Sequence, residues 1–317
     1  DGESTWDQAL LLMLERSGYP EETYHTFSYS PLLDDGGEVA GLFCAVSEET
    51  ERVLSERRLA VLSRLAAGLA ASDTRAKALQ ATAPALQAAA RDLPFAMVFL
   101  FDAQGQAQLG SAVGIAPGHA LAAAHHWRAD RILSGNAEIE VALEPGTAAP
   151  SGPWANPPRA ARVLAVGGRG GARPSGFLVA ALSPHRPGDA PVLDFVRLLA
   201  GTIGASLDNA DAYDAERRRA AALAEAVQTR TAERDRLHSL FRQAPGFMFL
   251  LRGPSHVFEL HNASYQQLVG HRNLSGKSMR EALPEVAGQG FFELLDEVRR
   301  SGTPFVGHAV PVRLRRQ

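Results

Sequence analysis

The sequence predicts an α+β protein of more than one domain, with antiparallel sheets flanked by helices and joined by long helices. Three observations predict it. The chain has 317 residues, longer than one ordinary domain. Short apolar stretches separated by turn residues recur in adjacent pairs, which describes antiparallel hairpins. Between these strand-rich regions the pattern twice changes to long, charged segments of helical period.

The first 46 residues read as strands joined by turns, although the apolar run Trp6 to Leu14, taken alone, also suits a helix. After the turn SGYP, Tyr24, Thr26, Ser28 and Ser30 alternate with His25, Phe27 and Tyr29, a period of two that predicts a strand with one buried face. Pro31 is expected to end that strand, DDGG at Asp34 to Gly37 to turn the chain, and Val39 to Val46 to complete a hairpin. Ser47 is then placed to cap a helix running through Leu69. Leu54, Val61, Leu62, Leu65 and Leu69 fall on one stripe of it, while Glu48, Glu49, Glu51, Arg52, Glu56, Arg57 and Arg58 crowd the remainder. A helix that leaves a sheet directly can carry a strand displacement onward as rotation or tilt. An ordinary packed linker has the same pattern, and the sequence does not separate the two.

Residues 73 to 91 form an alanine-rich helical pattern anchored by Leu79 and Leu86, with Pro84 as a point of kink or break. FAMVFLF after Pro94, the turn DAQGQ and the segment ending at VGI read as strand, turn, strand. Helical potential returns from His119 to Leu133. Strands are expected at Ala137 to Leu143, Arg162 to Gly167 and Gly176 to Leu182, and a helix at Phe195 to Asn209. The aperiodic loop Glu144 to Pro158 is a cover or a surface insertion. From Ile203 to Phe241 the chain is helical and highly charged. Leu223 and Val227 lie four apart, as do Leu237 and Phe241, with alanine and threonine on the seam between them; a parallel homodimer and a solvated connector both fit. The last 75 residues offer strands at Phe247 to Leu251 and Val257 to Leu260. Helices follow at Ala263 to Leu268, Ser278 to Glu281 and Gly290 to Arg299, then a strand-like stretch at Thr303 to Arg313.

These motifs resemble known families. GYPEETYHTFSYSPLLDDGGEVAGLFCAV, continuing into the charged helix, resembles the terminal strands and exit helix of a PAS domain. FRQAPGFMFLLRGPSHVFELHNASYQQLVG and LSGKSMREALPEVAGQGFFELLDEVRRSGTPF resemble the opening and middle of another. DLPFAMVFLFDAQGQ and PSGFLVAALSPHRPGD resemble GAF-domain strands. The resemblance is to the sensor regions of bacterial histidine kinases. It divides the chain into the C-terminal part of a PAS-like domain (1–46), a GAF-like domain with helices leading in and out (47–210), a helical signalling linker (211–240) and the N-terminal and middle part of a second PAS-like domain (241–317). It implies a cytoplasmic, homodimeric input region that controls a downstream kinase module through ligand- or partner-dependent helix rearrangement. A ligand-free scaffold for dimerisation and protein interaction is the alternative. The two PAS-like pieces are complementary, so residues 1–46 could complete residues 237–317 within one molecule or between two, truncation being the other explanation.

No set of reacting groups points to an enzyme. The chain balances 32 Lys and Arg against 35 Asp and Glu, which gives no field suited to nucleic acid. No run of 18 uninterrupted apolar residues marks a membrane segment, and the opening DGESTWDQ lacks the features of a signal peptide. Neither an ATP lid, a phosphoacceptor histidine motif nor a GxSxG elbow is present. GGRGG at Gly167 to Gly171 lacks P-loop spacing and reads as a turn. His119, His125, His126 and Asp130 do not form a convincing ligand set, so no metal site is expected. Cys44, the single cysteine, sits in an apolar strand pattern as a small hydrophobe. The resemblance argues against a covalently held bilin, since the GAF-like region has no cysteine, and against a photoactive flavin, since ASYQQLVG stands where the reactive cysteine would be. A noncovalent cofactor such as haem stays open, as does a small-molecule ligand. The candidate pocket is Phe249, Asn262, Tyr265 and His308, with Trp127 and Trp154 flanking a possible ligand loop in the GAF-like region. For Asn262 a helix cap, and for the aromatic residues a place in the core, are the competing roles.

Overall fold

The computed structural model describes residues 3–168, 170 and 172–315. The chain splits into two compact units, Asp1–Arg218 and Arg219–Gln317. The first opens with a three-stranded antiparallel sheet of β1 (Thr5–Leu14), β2 (Glu21–Leu33) and β3 (Val39–Glu48), with β2 in the centre. Trp6 to Leu14 is therefore strand, with Leu10 to Leu14 paired against His25 to Glu21 beyond a bulge at Ala9, whose φ is +52°. In the DDGG turn the Asp34 carboxylate accepts from the amides of Gly36 and Glu38.

Three expectations for this region need correction. Pro31 does not end β2, which continues to Leu33; β1 starts only opposite Tyr29, so one flank of β2 is open at Pro31 and its missing N–H is tolerated. Burial of β2 does not alternate either: Glu21 to His25 are all buried and Thr26 to Pro31 half-buried, because the end of the strand is inserted into the unit. Ser47 is not a helix cap. It stays in β3 opposite Thr26, since pairing with β2 continues through Glu48 opposite His25. Helix α1 (Thr50–Leu69) begins two residues past the end of β3, without a side-chain cap.

Leu54, Val61, Leu65 and Leu69 form the buried stripe of α1 as expected, but Arg58 joins them instead of the polar face. Helix α2 (Arg75–Ala88) is capped by the Thr74 hydroxyl, and Pro84 lies within it without ending it. A five-stranded antiparallel sheet follows: β4 (Ala96–Phe101), β5 (Ala107–Val113), β6 (Glu138–Ala142), β7 (Ala160–Val166) and β8 (Gly176–Ala181), in the order β5-β4-β8-β7-β6. At Gly176 a Cβ would stand 1.9 Å from the Phe99 carbonyl oxygen, so only glycine lets β8 lie this close to β4.

The stretch His119 to Leu133 is not one helix. Two 3₁₀ turns, Ala120–Ala122 and Ala124–Trp127, precede the short α3 (Ala129–Leu133), with Arg128 at φ +49° between them. This break turns Trp127 fully into the core, where its indole N–H donates to the Leu121 carbonyl at 2.7 Å. The five-stranded sheet separates two apolar layers. On one face Val98, Leu164, Val166 and Leu178 meet Leu65, Leu86, Val196, Leu199 and Ile203 from the helices. On the other, Phe95, Phe99, Phe177, Val179, Trp127 and Ile132 pack together.

Helix α4 (Ala190–Gln243) is one continuous element of 54 residues, about 80 Å long at 1.5 Å per residue, where the sequence suggests two overlapping stretches. It is long and apolar enough over 18 residues to cross a membrane by composition, but half of that window is buried inside the protein, as in a core helix. In the second unit, β9 (Phe249–Arg252) and β10 (Val257–His261) form a two-stranded antiparallel sheet. Helices α5 (Ala263–Leu268), α6 (Met279–Ala282) and α7 (Phe291–Ser301) enclose a core of Phe258, Tyr265, Val269, Leu274, Leu283 and Phe292. Thr303 to Arg313 does not become a strand. Side chains hold its end instead: Gln289 bonds both the N–H and the carbonyl of Arg313, at 2.9 and 3.0 Å, and the Glu285 carboxylate accepts from the Arg315 amide.

Candidate functional site

The densest polar constellation of the first unit lies where β2, α1 and the five-stranded domain meet. Glu22, at the inserted end of β2, is 1% exposed, and Asp92, after α2, is 2% exposed. Arg57 of α1 bridges them: its guanidinium donates to Glu22 Oε1 at 2.6 Å and, through Nε, to Asp92 Oδ2 at 2.8 Å. Arg58 donates to the other oxygen of Asp92 at 2.9 Å. The Tyr24 hydroxyl donates to Glu22 at 2.8 Å and accepts from Arg91 at the same distance. Two buried carboxylates, the buried Arg58 and the half-buried Arg57 thus offset one another in a region where a lone charge would cost several kcal/mol.

Backbone bonds tie the same elements. The Thr50 hydroxyl accepts from the Tyr24 amide at 3.0 Å, and the Glu49 amide donates to the Tyr24 carbonyl at 2.8 Å, so the first turn of α1 is fixed to β2. On the other flank His185 Nδ1 bonds the Pro20 carbonyl at 2.7 Å, and Arg186 reaches the Glu22 carbonyl and the Glu51 carboxylate. Trp154, from the loop expected to be a cover, meets His185 edge-on at 4.8 Å and donates its indole N–H to the Arg91 carbonyl.

The electrostatics follow the geometry. Burial works against the charge on Arg57, but the hydrogen bonds and charges of Glu22 and Asp92 outweigh it and hold its pKa above the ordinary arginine value. Burial, then the bond to Glu22, pushes the Tyr24 phenol up. On the rim, Arg16 and then Thr50 hold Glu48 below the usual carboxylate range, and Arg52 and Thr26 do the same for Glu49. The constellation contains no nucleophile beside a base. What it can do is hold β2 and α1 in one arrangement.

The residues expected from the sequence to form a pocket are distributed differently. Phe249 packs on Tyr265 at 4.5 Å and on Phe258 at 5.7 Å, so these aromatic residues do come together. Asn262 is fully buried and its side chain is committed within the protein: Oδ1 accepts from the amides of Met248 and Tyr265, and Nδ2 donates to the carbonyls of Ala244 and Gly246. Burial pushes the Tyr265 phenol up to about 12. His308 does not join them; it is exposed in the extended stretch that failed to become a strand. Trp127 belongs to the core and Trp154 to the junction rim. Leu223, Val227 and Leu237 are all more than half exposed on α4, and Phe241 is half-buried.

Gly167 and Gly168 have φ of +76° and +79°, which suits a turn, while Arg169 and Gly171 of the same motif lie outside the described residues. His125 and His126 stack on each other, 4.1 Å between ring centroids, and among the described residues no group of three or more His, Cys, Asp or Glu is placed to hold a metal ion. Cys44 is exposed on β3 rather than buried, because that sheet face has no covering layer among the described residues.

Glu22, Asp92, Arg91 and His185 escaped the sequence reading, and Arg57 and Arg58 were placed on a solvated face. Their partners lie 34 or 35 residues apart, beyond any local pattern, although one charge, Arg58, inside an otherwise apolar helix stripe is a usable signal.

No family model matches the sequence. Among solved structures, the chain is similar to the GAF domain from Acinetobacter phosphoenolpyruvate-protein phosphotransferase, at 14% identity and TM-score 0.37 over 49% of this chain and 94% of that one. It is similar to the Stigmatella aurantiaca phytochrome photosensory core module at 14% identity and TM-score 0.41, over 74% of this chain and 52% of that one. It is also similar to bacteriophytochrome RpBphP3 from the photosynthetic bacterium R. palustris at 14% identity and TM-score 0.37, over 70% of this chain and 49% of that one. The chain therefore spans about half the length of these two phytochrome structures.

Proposed function

We propose that the chain is a regulatory input region that passes a change in its three-stranded sheet to helices α1 and α4, and through them to an output module such as a histidine kinase. The observation that carries this reading is the Glu22–Arg57–Asp92 junction, where the end of a strand, the start of a helix and the central domain share buried charges. A strand shift of an ångström or two would break bonds of 2.6 to 2.8 Å, so the position of the strand and that of the helix are coupled through the junction. The exposed stripe of Leu223, Val227 and Leu237 on α4 is where a second copy would pair in parallel to deliver that change as helix geometry.

One observation favours input from a protein partner over a small molecule, which is the scaffold reading of the same region. The face of the central sheet under residues 120–133 is occupied by Phe95, Phe99, Phe177, Trp127 and Ile132, all below 2% exposure and packed in one apolar cluster.

The test is a fusion of the chain to a heterologous histidine-kinase output in matched helical phase. Glu22→Gln keeps the shape and removes the charge at the junction. Autophosphorylation is expected to change at least threefold in either direction, whereas an unchanged rate in a folded fusion would sink the relay.

A further inference from the structure

The loop between β6 and β7 reaches the junction through one side chain. Among the described residues, none from 144 to 157 is buried, so the loop is held by a few separate contacts instead of by a core of its own. The contacts at the junction converge on Trp154. Its indole N–H donates to the Arg91 carbonyl at 2.8 Å, the Arg91 guanidinium lies 5.6 Å from the ring centroid, and the His185 ring meets the indole edge-on at 4.8 Å. Two residues earlier the backbone lies flat on the connection between α2 and β4. At Gly152, with φ +59°, a Cβ would stand 3.0 Å from Pro94 Cα and 3.3 Å from the Ala90 carbonyl oxygen.

Both groups that Trp154 touches go on to hold β2. Arg91 donates to the Tyr24 hydroxyl at 2.8 Å, and that hydroxyl donates to Glu22. His185 Nδ1 bonds the Pro20 carbonyl at 2.7 Å; a carbonyl only accepts, so Nδ1 carries the proton. The His185 carbonyl in turn accepts from the Glu22 amide at 3.4 Å. Trp154 is thus one residue removed from the strand by two separate routes.

We propose that residues 144–158 form a strap on the junction, with Trp154 as its latch. Docked, the strap holds Arg91 and His185 against the end of β2; lifted, it loosens that end while the core of the central sheet stays closed. The low burial of the loop makes lifting easy, and the two routes couple it to the strand. Coupling of this kind is reciprocal, so loosening the strand also frees the latch. The strap is a second control on the junction and rests on the relay reading for its effect on output alone.

Hydrogen exchange of the full chain, read by mass spectrometry, tests the forward direction. Trp154→Ala is expected to speed exchange about threefold or more in peptides covering residues 21–25, with the central strands 96–101 and 176–181 unchanged. Trp154→Phe, which keeps a ring but loses the N–H donor, should give a smaller rise at 21–25 and serves if the alanine variant does not fold. The reverse direction is read from Trp154 itself. With Trp6→Phe removing the exposed tryptophan and Trp127 shielded in the core, Tyr24→Phe should raise quenching of the remaining fluorescence by acrylamide about twofold. Exchange at 21–25 that stays at the unmodified rate in the folded Trp154 variants overturns the latch, as does quenching indifferent to Tyr24→Phe. An equal rise in the central strands overturns it too, since Trp154 would then only stabilise the unit as a whole. Kinase output does not enter these measurements, so a fusion indifferent to Glu22→Gln would end the relay and leave the strap standing.

Discussion

Buried charge is tolerated at Glu22 only because each of its oxygens has a donor. Removing it by Glu22→Ala leaves Arg57 and Arg58 to share Asp92, an unbalanced buried cation. Loss of one partner of such a pair costs about 3 kcal/mol or more. All three tryptophans, Trp6, Trp127 and Trp154, lie in the first unit, so urea unfolding followed by indole fluorescence should register that loss directly. Tyr265 gives the pH counterpart. Its folded pKa is raised to about 12 while an unfolded phenol titrates near 10, so the second unit keeps its full stability below pH 10 and loses it as pH rises toward about 12, where the unfolded chain releases the proton first. Tyr265→Phe should remove that alkaline slope, and absorbance at 295 nm would follow the ionisation. Legibility at this scale depends on distance along the chain. Asn262 could be read as a helix cap because its acceptor and the donor amide are three residues apart. Arg58 could not be read as buried, because Asp92 is supplied by a different element.

Elements were legible where their period was uniform and misread where tertiary contacts set the boundary. The strands of the central sheet fall within two residues of the expected positions, as Ala137 to Leu143 against Glu138–Ala142 shows. By contrast, the run His119 to Leu133 is broken by the burial of Trp127, and Thr303 to Arg313 has strand composition but its end is held by Gln289 and Glu285 and it pairs with neither β9 nor β10. Helix α4 carries the prediction proper to this scale. Leu223 and Val227 are exposed one turn apart, and changing both to glutamate is expected to convert a dimeric mass in solution to a monomeric one without loss of helix. Light scattering beside circular dichroism checks it; an unchanged mass would leave the stripe without its assigned role.

For the molecule as a whole, the predicted α+β architecture of antiparallel sheets, flanking helices and a long helix is the one observed. The boundary expected at residue 46 falls inside β3, because the strand continues to Glu48, and the last stretch of α4 belongs with the second unit. Two units with separate cores should respond separately to damage. Asn262→Ala removes a buried cap and four side-chain hydrogen bonds, which should cost the second unit about 2 kcal/mol or more. Calorimetry should show one transition moving down while the midpoint seen by tryptophan fluorescence stays in place.

Between Ala205 and Gln243 helix α4 contains neither glycine nor proline, the residues that most often let a helix bend sharply. Such a stretch behaves as a ruler marked in steps of 100°. Seven residues added at its exposed part bring every later side chain back to nearly its old bearing, whereas two turn them to the opposite side. The length of this helix is thus free to drift by seven, eleven or eighteen residues, whereas an insertion of two or five rewrites which side chains face a neighbour without altering a single residue of either unit's core.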